Sequence, residues 1–414
     1  MSSRFKIARL GAQGDGVAET PTGQVFIPFA LPGEEVTAAR VKDRAELISV
    51  LEVSPDRIAP ACRHFGECGG CAIQHLRNDL YENWKGEKVP TTLRGWGLET
   101  DGAALTPCAA ASRRRVTLSA RRSATGMLFG YNRALTHTII DIAECPVALP
   151  GIVEALPLLR ALAGVICATS QAFHISVTAT ETGFDIAAAG SGMLEPRRRQ
   201  EATKFVIANT SIARLAIDGE IIVEPRKPTI FFGKAAVVPP PGGFLQAVAS
   251  AEQTMANLVL EHLRKAKKVA DLFAGSGAFA LRLAAQSAVH AVENDAPALA
   301  ALDRAARATP GQKPVTVEKR DLFSRPLTWK ELNAFDAVVF DPPRAGAEEQ
   351  SIQIARSHVP LVAAVSCNPV TLARDLAILV EGGYRLSSVT PIDQFLWSPH
   401  VEAVALLDKP RVRR

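Results

Sequence analysis

The chain is 414 residues long, 47% hydrophobic and 21% charged, a globular balance with room for two or three domains. Its net charge of +5 comes from 47 Lys and Arg against 42 Asp and Glu, too mild a surplus to imply nucleic acid by itself. No apolar run reaches the ~18 residues of a membrane span, and the opening MSSRFKIARLGAQGDG lacks the apolar centre of a secretory signal. A cytoplasmic protein with no membrane partner is expected, and a monomer is the default. In a reducing compartment the seven cysteines are expected to be ligands, nucleophiles or core residues rather than disulfides.

Residues 1–55 read as five short strands separated by turns such as Gly14-Asp15-Gly16 and Leu31-Pro32-Gly33, a small OB-like β-barrel of a kind that serves either structure or oligonucleotide binding. Pro55 and Pro60 mark a boundary, after which a cysteine-rich loop runs from Cys62 to Cys71 and a helix is expected over Ile73–Leu93. Residues 56–245 form a mixed, β-rich central domain with a helix over 148–163 entered through Pro150. Between Ala109 and Ile140 lie six arginines, Arg113, Arg114, Arg115, Arg121, Arg122 and Arg133, and no acid. A second run is Arg197, Arg198 and Arg199, and the tail adds Lys409, Arg411, Arg413 and Arg414. Such runs are either solvated faces or RNA contacts. The run Pro239-Pro240-Pro241-Gly242-Gly243 continues neither helix nor central strand and leads into the next domain.

From 246 to 414 helices and strands alternate, which predicts a doubly wound α/β domain with a mostly parallel sheet. The first strand, Val269 to Phe273, runs into Ala274-Gly275-Ser276-Gly277, where glycines let backbone approach a ligand before a following helix. Glu293, 22 residues after Asp271, ends the next strand, the place of an acid that bonds ribose hydroxyls, and Asp321 after the third strand is placed for an adenine edge. Spacing alone fits NAD and S-adenosylmethionine equally.

Three segments fall at the ligand-binding edge of such a sheet: Asp341-Pro342-Pro343-Arg344, Ser366-Cys367-Asn368-Pro369 and His400-Val401-Glu402. Singly each has a plain structural use as a helix cap, a core thiol or a solvated acid. Together, a thiol and two carboxylates beside a methyl donor suit methylation at carbon 5 of uracil. A thiolate adding to carbon 6 makes carbon 5 nucleophilic, and a base must then remove the carbon-5 proton. Cys367 is the candidate nucleophile, Glu402 the base and Asp341 the group that holds the polar edge of the uracil. Cys62, Cys68 and Cys71, with five and two residues between them, and the distant Cys145 form a donor set for zinc or for a [4Fe-4S] cluster.

These motifs resemble the RNA 5-methyluridine (uracil-5) methyltransferases. DLFAGSGAFAL is similar to the family's cofactor loop, and DPPRAG, SCNPVTLARDL and HVEAVALL are similar to its three active-site motifs in order and spacing. The resemblance implies a class I, Rossmann-like methyltransferase domain, an N-terminal barrel of TRAM type, S-adenosylmethionine as cofactor and RNA as partner. It implies Cys367 as nucleophile and Glu402 as base. It assigns Gln246, Phe273, Gly275, Ser276, Gly277, Glu293, Asp321 and Asp341 to the cofactor and substrate shell. The cysteine spacing matches the [4Fe-4S] site of the ribosomal branch, so Cys62, Cys68, Cys71 and Cys145 are its implied ligands and 23S ribosomal RNA the implied substrate, with tRNA as the near alternative. The family often carries Asn two residues after the glutamine, where Val248 stands here. A catalytically silent RNA-binding protein and a nicotinamide dehydrogenase are the competing classes. The first would be favoured by loss of Cys367 or Glu402, and the second gives DPPR and SCNP no role.

Overall fold

The computed structural model describes residues 2–100 and 103–410; Arg411, Arg413 and Arg414 of the basic tail lie outside them. The N-terminal segment forms a six-stranded sheet from Ser2–Lys6 to Arg44–Glu52, one strand more than the sequence suggests. The strands Gly16–Thr20 and Gly23–Ile27 are a hairpin joined at Thr20 and Gly23, and the polar end of the first masks its period. Phe5, Ile7, Val25, Ile27, Val36 and Ala38 fill its core, and alternate residues of Glu35–Val41 point inward, as a half-buried strand requires.

The region expected to be one helix over 73–93 is two, Asn78–Gly86 and Lys88–Arg94. Pro90 sits in the first turn of the second, where its missing N–H and fixed φ are tolerated but cannot extend a helix from before. Pro157 likewise divides the helix expected over 148–163 into Pro150–Glu154 and Leu156–Ile166. The arginine run at 197–199 belongs to a helix, Pro196–Ala208, that buries Ala202 and Val206. A central seven-stranded sheet packs Val116, Phe129, Ile175, Ile186 and Leu215 against Leu159 and Leu162 of the second of the divided helices.

The third sheet has seven strands. In spatial order they are Val315–Lys319, Ala288–Glu293, Lys268–Leu272, Ala337–Phe340, Leu361–Ser366, Glu402–Asp408 and Arg385–Ile392. The first five are parallel, and Glu402–Asp408 runs antiparallel to both its neighbours. Both faces are covered, which explains the unbroken apolar runs. Val269, Val339 and Val365 enter one core with Met255 and Val259 of the Ala249–His262 helix, while Ala270, Val338, Phe340 and Ala364 enter the other with Leu372 and Leu376. Packing crosses residue 246: Val89, Leu93 and Leu98 join the second core, and Ile230, Phe232, Ala235 and Val237 the first.

Candidate active site

The strand order reverses beside Lys268–Leu272, and a crevice at the carboxyl ends of the parallel strands is the standard ligand position in such sheets. The loop after this strand turns through three positive φ angles, at Phe273 (61°), Gly275 (54°) and Gly277 (97°). A Cβ on Gly277 would lie 2.8 Å from Leu302, so only glycine fits there. Phe273 has no such freedom, and holding a phenylalanine in the left-handed region costs about 1–3 kcal/mol. The helix after the loop is a single turn, Ala280–Leu283.

Glu293 reaches back to this loop. Its Oε2 accepts the Gly275 N–H at 2.8 Å, and its Oε1 accepts the N–H groups of Asn294 and Asp295 at 2.7 Å. Asp321 accepts from the Phe323 N–H and the Ser324 hydroxyl, and Phe323 packs 5.5 Å from Phe273. Asp271 is fully buried, and burial raises its pKa well above the carboxylate range. A backbone hydrogen bond from Ala280 opposes that rise, and among the described residues the buried Ser276 hydroxyl has no hydrogen-bond partner. An unpaired hydroxyl within a glycine cradle fits a polar ligand that completes it.

Cys367, Asp341 and Glu402 meet at the same sheet edge. Asp341 and Cys367 follow adjacent parallel strands, and the reversal of the last strand brings its first residue, Glu402, to that edge. Asn368 ties two of the loops together: its Nδ2 donates to the Arg344 carbonyl at 2.9 Å, and its Oδ1 accepts the Val370 N–H, capping the Pro369–Glu381 helix. Gln246 arrives from the segment before the Ala249–His262 helix, and its Nε2 donates to Asp341 Oδ2 at 3.1 Å. The plain uses do not account for the three: among the described residues Asp341 caps no helix and is bonded to Gln246, Cys367 is only half-buried, and Glu402 is buried rather than solvated.

Charge in the pocket is balanced toward protonation. Burial raises Asp341 to about 7. Burial and then the neighbouring Asp341 raise Glu402 well above the carboxylate range, opposed by its hydrogen bond from Gln394. Burial, then Glu402 and Asp341, push the Cys367 thiol up to about 11, while the Arg344 guanidinium opposes them. A carboxyl with its pKa moved toward neutrality is a competent proton acceptor.

Four residues carry site contacts that the sequence does not assign: Gln394, Arg114, Glu252 and Arg282. Gln394, 2% exposed, donates to Gln246 Oε1 at 2.7 Å and to Glu402 Oε2 at 3.0 Å. Arg114, from the arginine run, does not face solvent as a free charge. It donates to the Gln246 carbonyl at 3.1 Å and to buried Glu252 at 2.7 Å, and Arg282 binds the other Glu252 oxygen at 2.8 Å. Arginine clustering signals the residue but not its partner.

Cys62, Cys68, Cys71 and Cys145 line one cavity of about 270 Å³, with Arg113, Arg115 and Tyr131 and with Phe395, Leu396 and Ser398 from the loop before Glu402. All four thiols are free, and burial raises Cys62 and Cys68 and pushes Cys71 to about 12. Among the described residues no three His, Cys, Asp or Glu side chains are grouped to hold a metal ion. Cys108 and Cys167 are buried core residues.

A doubly wound sheet with a glycine cradle, and a thiol and two carboxyls at its carboxyl edge, fits the class of S-adenosylmethionine-dependent methyltransferases. The family model for tRNA (Uracil-5-)-methyltransferase matches residues 317–410, and that for the methyltransferase small domain matches 241–361. A protein described as an uncharacterized RNA methyltransferase of Mesorhizobium japonicum is 64% identical over 100% of both chains. The 23S rRNA (uracil(1939)-C(5))-methyltransferase RlmD of Halomonas elongata is 33% identical over 98% of this chain and 89% of its own. In fold, the chain resembles the Pyrococcus abyssi tRNA (uracil-54, C5)-methyltransferase solved with S-adenosyl-L-homocysteine, with a TM-score of 0.77, 24% identity, and 98% and 99% of the two chains covered. The chain belongs to the uracil-5 RNA methyltransferase family, whose reaction moves the methyl group of S-adenosylmethionine to carbon 5 of uracil. Among the described residues no helix is long and apolar enough to cross a membrane.

Proposed function

We propose that the protein methylates carbon 5 of a uridine in 23S ribosomal RNA through a covalent adduct on Cys367. The observation that carries this is the convergence of Cys367, Asp341 and Glu402 on one sheet edge, within the charge field described above. Phe273, Gly275, Ser276, Gly277, Glu293 and Asp321 would hold the cofactor, with Gln246 and Asp341 completing the shell it shares with the substrate. When bound, S-adenosylmethionine supplies an electrophilic methyl group.

Cys367 Sγ, as thiolate, bonds to carbon 6 of the uracil, and the ring electrons move to the carbon 5–carbon 4 enolate. Gln246 and Asp341, the latter in the protonated form that its raised pKa of about 7 allows, donate to the polar edge on which that charge develops. Once carbon 5 carries the methyl, Glu402 takes the carbon-5 proton, the double bond re-forms, and the bond from Sγ to carbon 6 breaks to return the thiolate. The target base leaves any helix to reach this crevice.

The 33%-identical Halomonas relative supports the ribosomal substrate. We read the six-stranded N-terminal sheet as a TRAM-type barrel spanning residues 1–55. The division into a central domain over 56–245 and a methyltransferase domain over 246–414 is part of the same proposal. The four thiols line one cavity, and their spacing resembles the cluster site of the family's ribosomal branch, so we assign it a [4Fe-4S] cluster in place of zinc. The name of the matching family model favours one second reading, the same chemistry on tRNA.

Cys367→Ala is expected to abolish methylation while S-adenosylmethionine still binds. Glu402→Gln is expected to trap a covalent RNA adduct on a denaturing gel. Turnover by the first, or free product from the second, would remove that residue from its role. Anaerobic protein is expected to be brown with about four irons per chain, and stoichiometric zinc without visible absorption would overturn the cluster.

A further inference from the structure

Val248 is buried in the hydrophobic core, so it offers the site only its backbone. The Val248 backbone N–H points at Gln394 Oε1, 3.4 Å away. This bond fixes which end of the Gln394 amide is which. Its NH2 group must then face Glu402 Oε2 and Gln246 Oε1, and both its protons are used. With its own carbonyl occupied, Gln246 can only turn its NH2 toward Asp341, as observed. One backbone N–H therefore sets the polarity of a chain that runs from Glu402 through two amides to Asp341.

We propose that Gln394 is a positioning residue that holds Glu402 in its proton-accepting form and orients Gln246 toward Asp341. The inference rests on the reading of Glu402 as base. Gln394 donates to a carboxylate and has no acceptor to spare, so its bond favours the ionised state. The groups facing Glu402 otherwise oppose ionisation. Cys367 follows the adjacent strand and Asp341 the strand beyond it, and Glu252, held by Arg114 and Arg282, adds its charge to Asp341. Arg344 and His400 face the Cys367 side, 3.3 Å from each other. Gln394 is itself held in place: its neighbour Asp393 is ion-paired to buried Lys85, and Lys85 Nζ also donates to the Phe395 carbonyl at 2.6 Å.

The test is release of tritium from RNA carrying 5-³H-uridine in single-turnover reactions across pH, with S-adenosyl-L-homocysteine affinity as the measure of folding. Gln394→Met keeps the volume and removes the donor. It is expected to move the acid limb of the profile up by about one to two pH units, with cofactor affinity unchanged within about twofold. Gln394→Glu, nearly isosteric, adds a carboxyl beside Glu402 and is expected to move the limb further. A limb unmoved in both variants, with cofactor affinity retained, would overturn the inference. Glu402→Gln separates the two claims. Wild-type tritium release from it would overturn the base assignment and this inference with it. No release from it, together with unmoved limbs in the Gln394 variants, would overturn the inference alone.

Discussion

Lys85→Met tests how the active-site loop is anchored. The Lys85 side chain is 0% exposed and Asp393 is 1% exposed. Lys85 Nζ is ion-paired to Asp393 and donates to Tyr81 Oη at 3.0 Å and to the Phe395 carbonyl. Tyr81 Oη donates to the other Asp393 oxygen at 2.6 Å and accepts the Trp397 N–H at 2.8 Å. Removing one partner of a buried pair costs about 3–5 kcal/mol, because the other charge stays buried and uncompensated. At about 1.4 kcal/mol per factor of ten, local opening of the 393–398 loop rises between roughly a hundredfold and a few thousandfold. Amide hydrogen exchange reads this locally and needs no two-state unfolding. The reporters are the Trp397 N–H and the Ala72 and Ile73 N–H groups bonded to the Trp397 carbonyl. Amides of the Leu361–Ser366 strand serve as a control that is expected not to move. Acceleration below about fivefold, equivalent to roughly 1 kcal/mol, would refute the view that this buried pair anchors the loop.

Other perturbations probe the cofactor cradle and the outer sheet. Gly277→Ala forces a Cβ to within 2.8 Å of Leu302 at φ 97°, so calorimetry is expected to show S-adenosylmethionine binding weakened about tenfold or more; unchanged affinity would contradict the cradle. Arg114→Met removes the donor to the Gln246 carbonyl and half of the Glu252 pairing, and is expected to lower Tm and methylation together, whereas loss of RNA affinity alone would make Arg114 a surface contact. Glu331 is held down to about 2, against an ordinary value of 4.5, first by its bond from Arg320 and then by Thr328. Its folded pKa is depressed, so its contribution is fully present above 4.5 and fades as pH falls through about 2. Its side chain is 44% exposed, and screening limits the effect to about 1 kcal/mol; Glu331→Gln is expected to lower stability at pH 7 and to match the wild type near pH 2 in urea titrations.

The catalytic sheet was legible because its strands are buried on both faces, and stretches such as Ala337–Phe340 leave no polar residue to blur the pattern. The sheet-edge motifs were legible for a related reason: prolines and glycines mark where each strand must stop. The partners of those motifs were not. Gln394 lies in an irregular loop, and its importance comes from contacts 148 and 8 residues away in sequence. Arg114 sits in a run that looks like surface charge, yet pairs with Glu252 across 138 positions. The helix Pro196–Ala208 was hidden because its buried face holds only Ala202 and Val206, too narrow a stripe to announce a period. Local chemistry was readable in each case, and long-range pairing was not.

The most direct test of the central claim is methyl transfer from labelled S-adenosylmethionine by anaerobically purified protein. Unmethylated 23S RNA and bulk tRNA would serve as substrates, with each product digested and mapped by mass spectrometry. The account predicts label at carbon 5 of a uridine in the 23S RNA and none in tRNA. Label confined to tRNA would contradict the ribosomal assignment while keeping the chemistry, and label in neither RNA would contradict the proposed reaction itself.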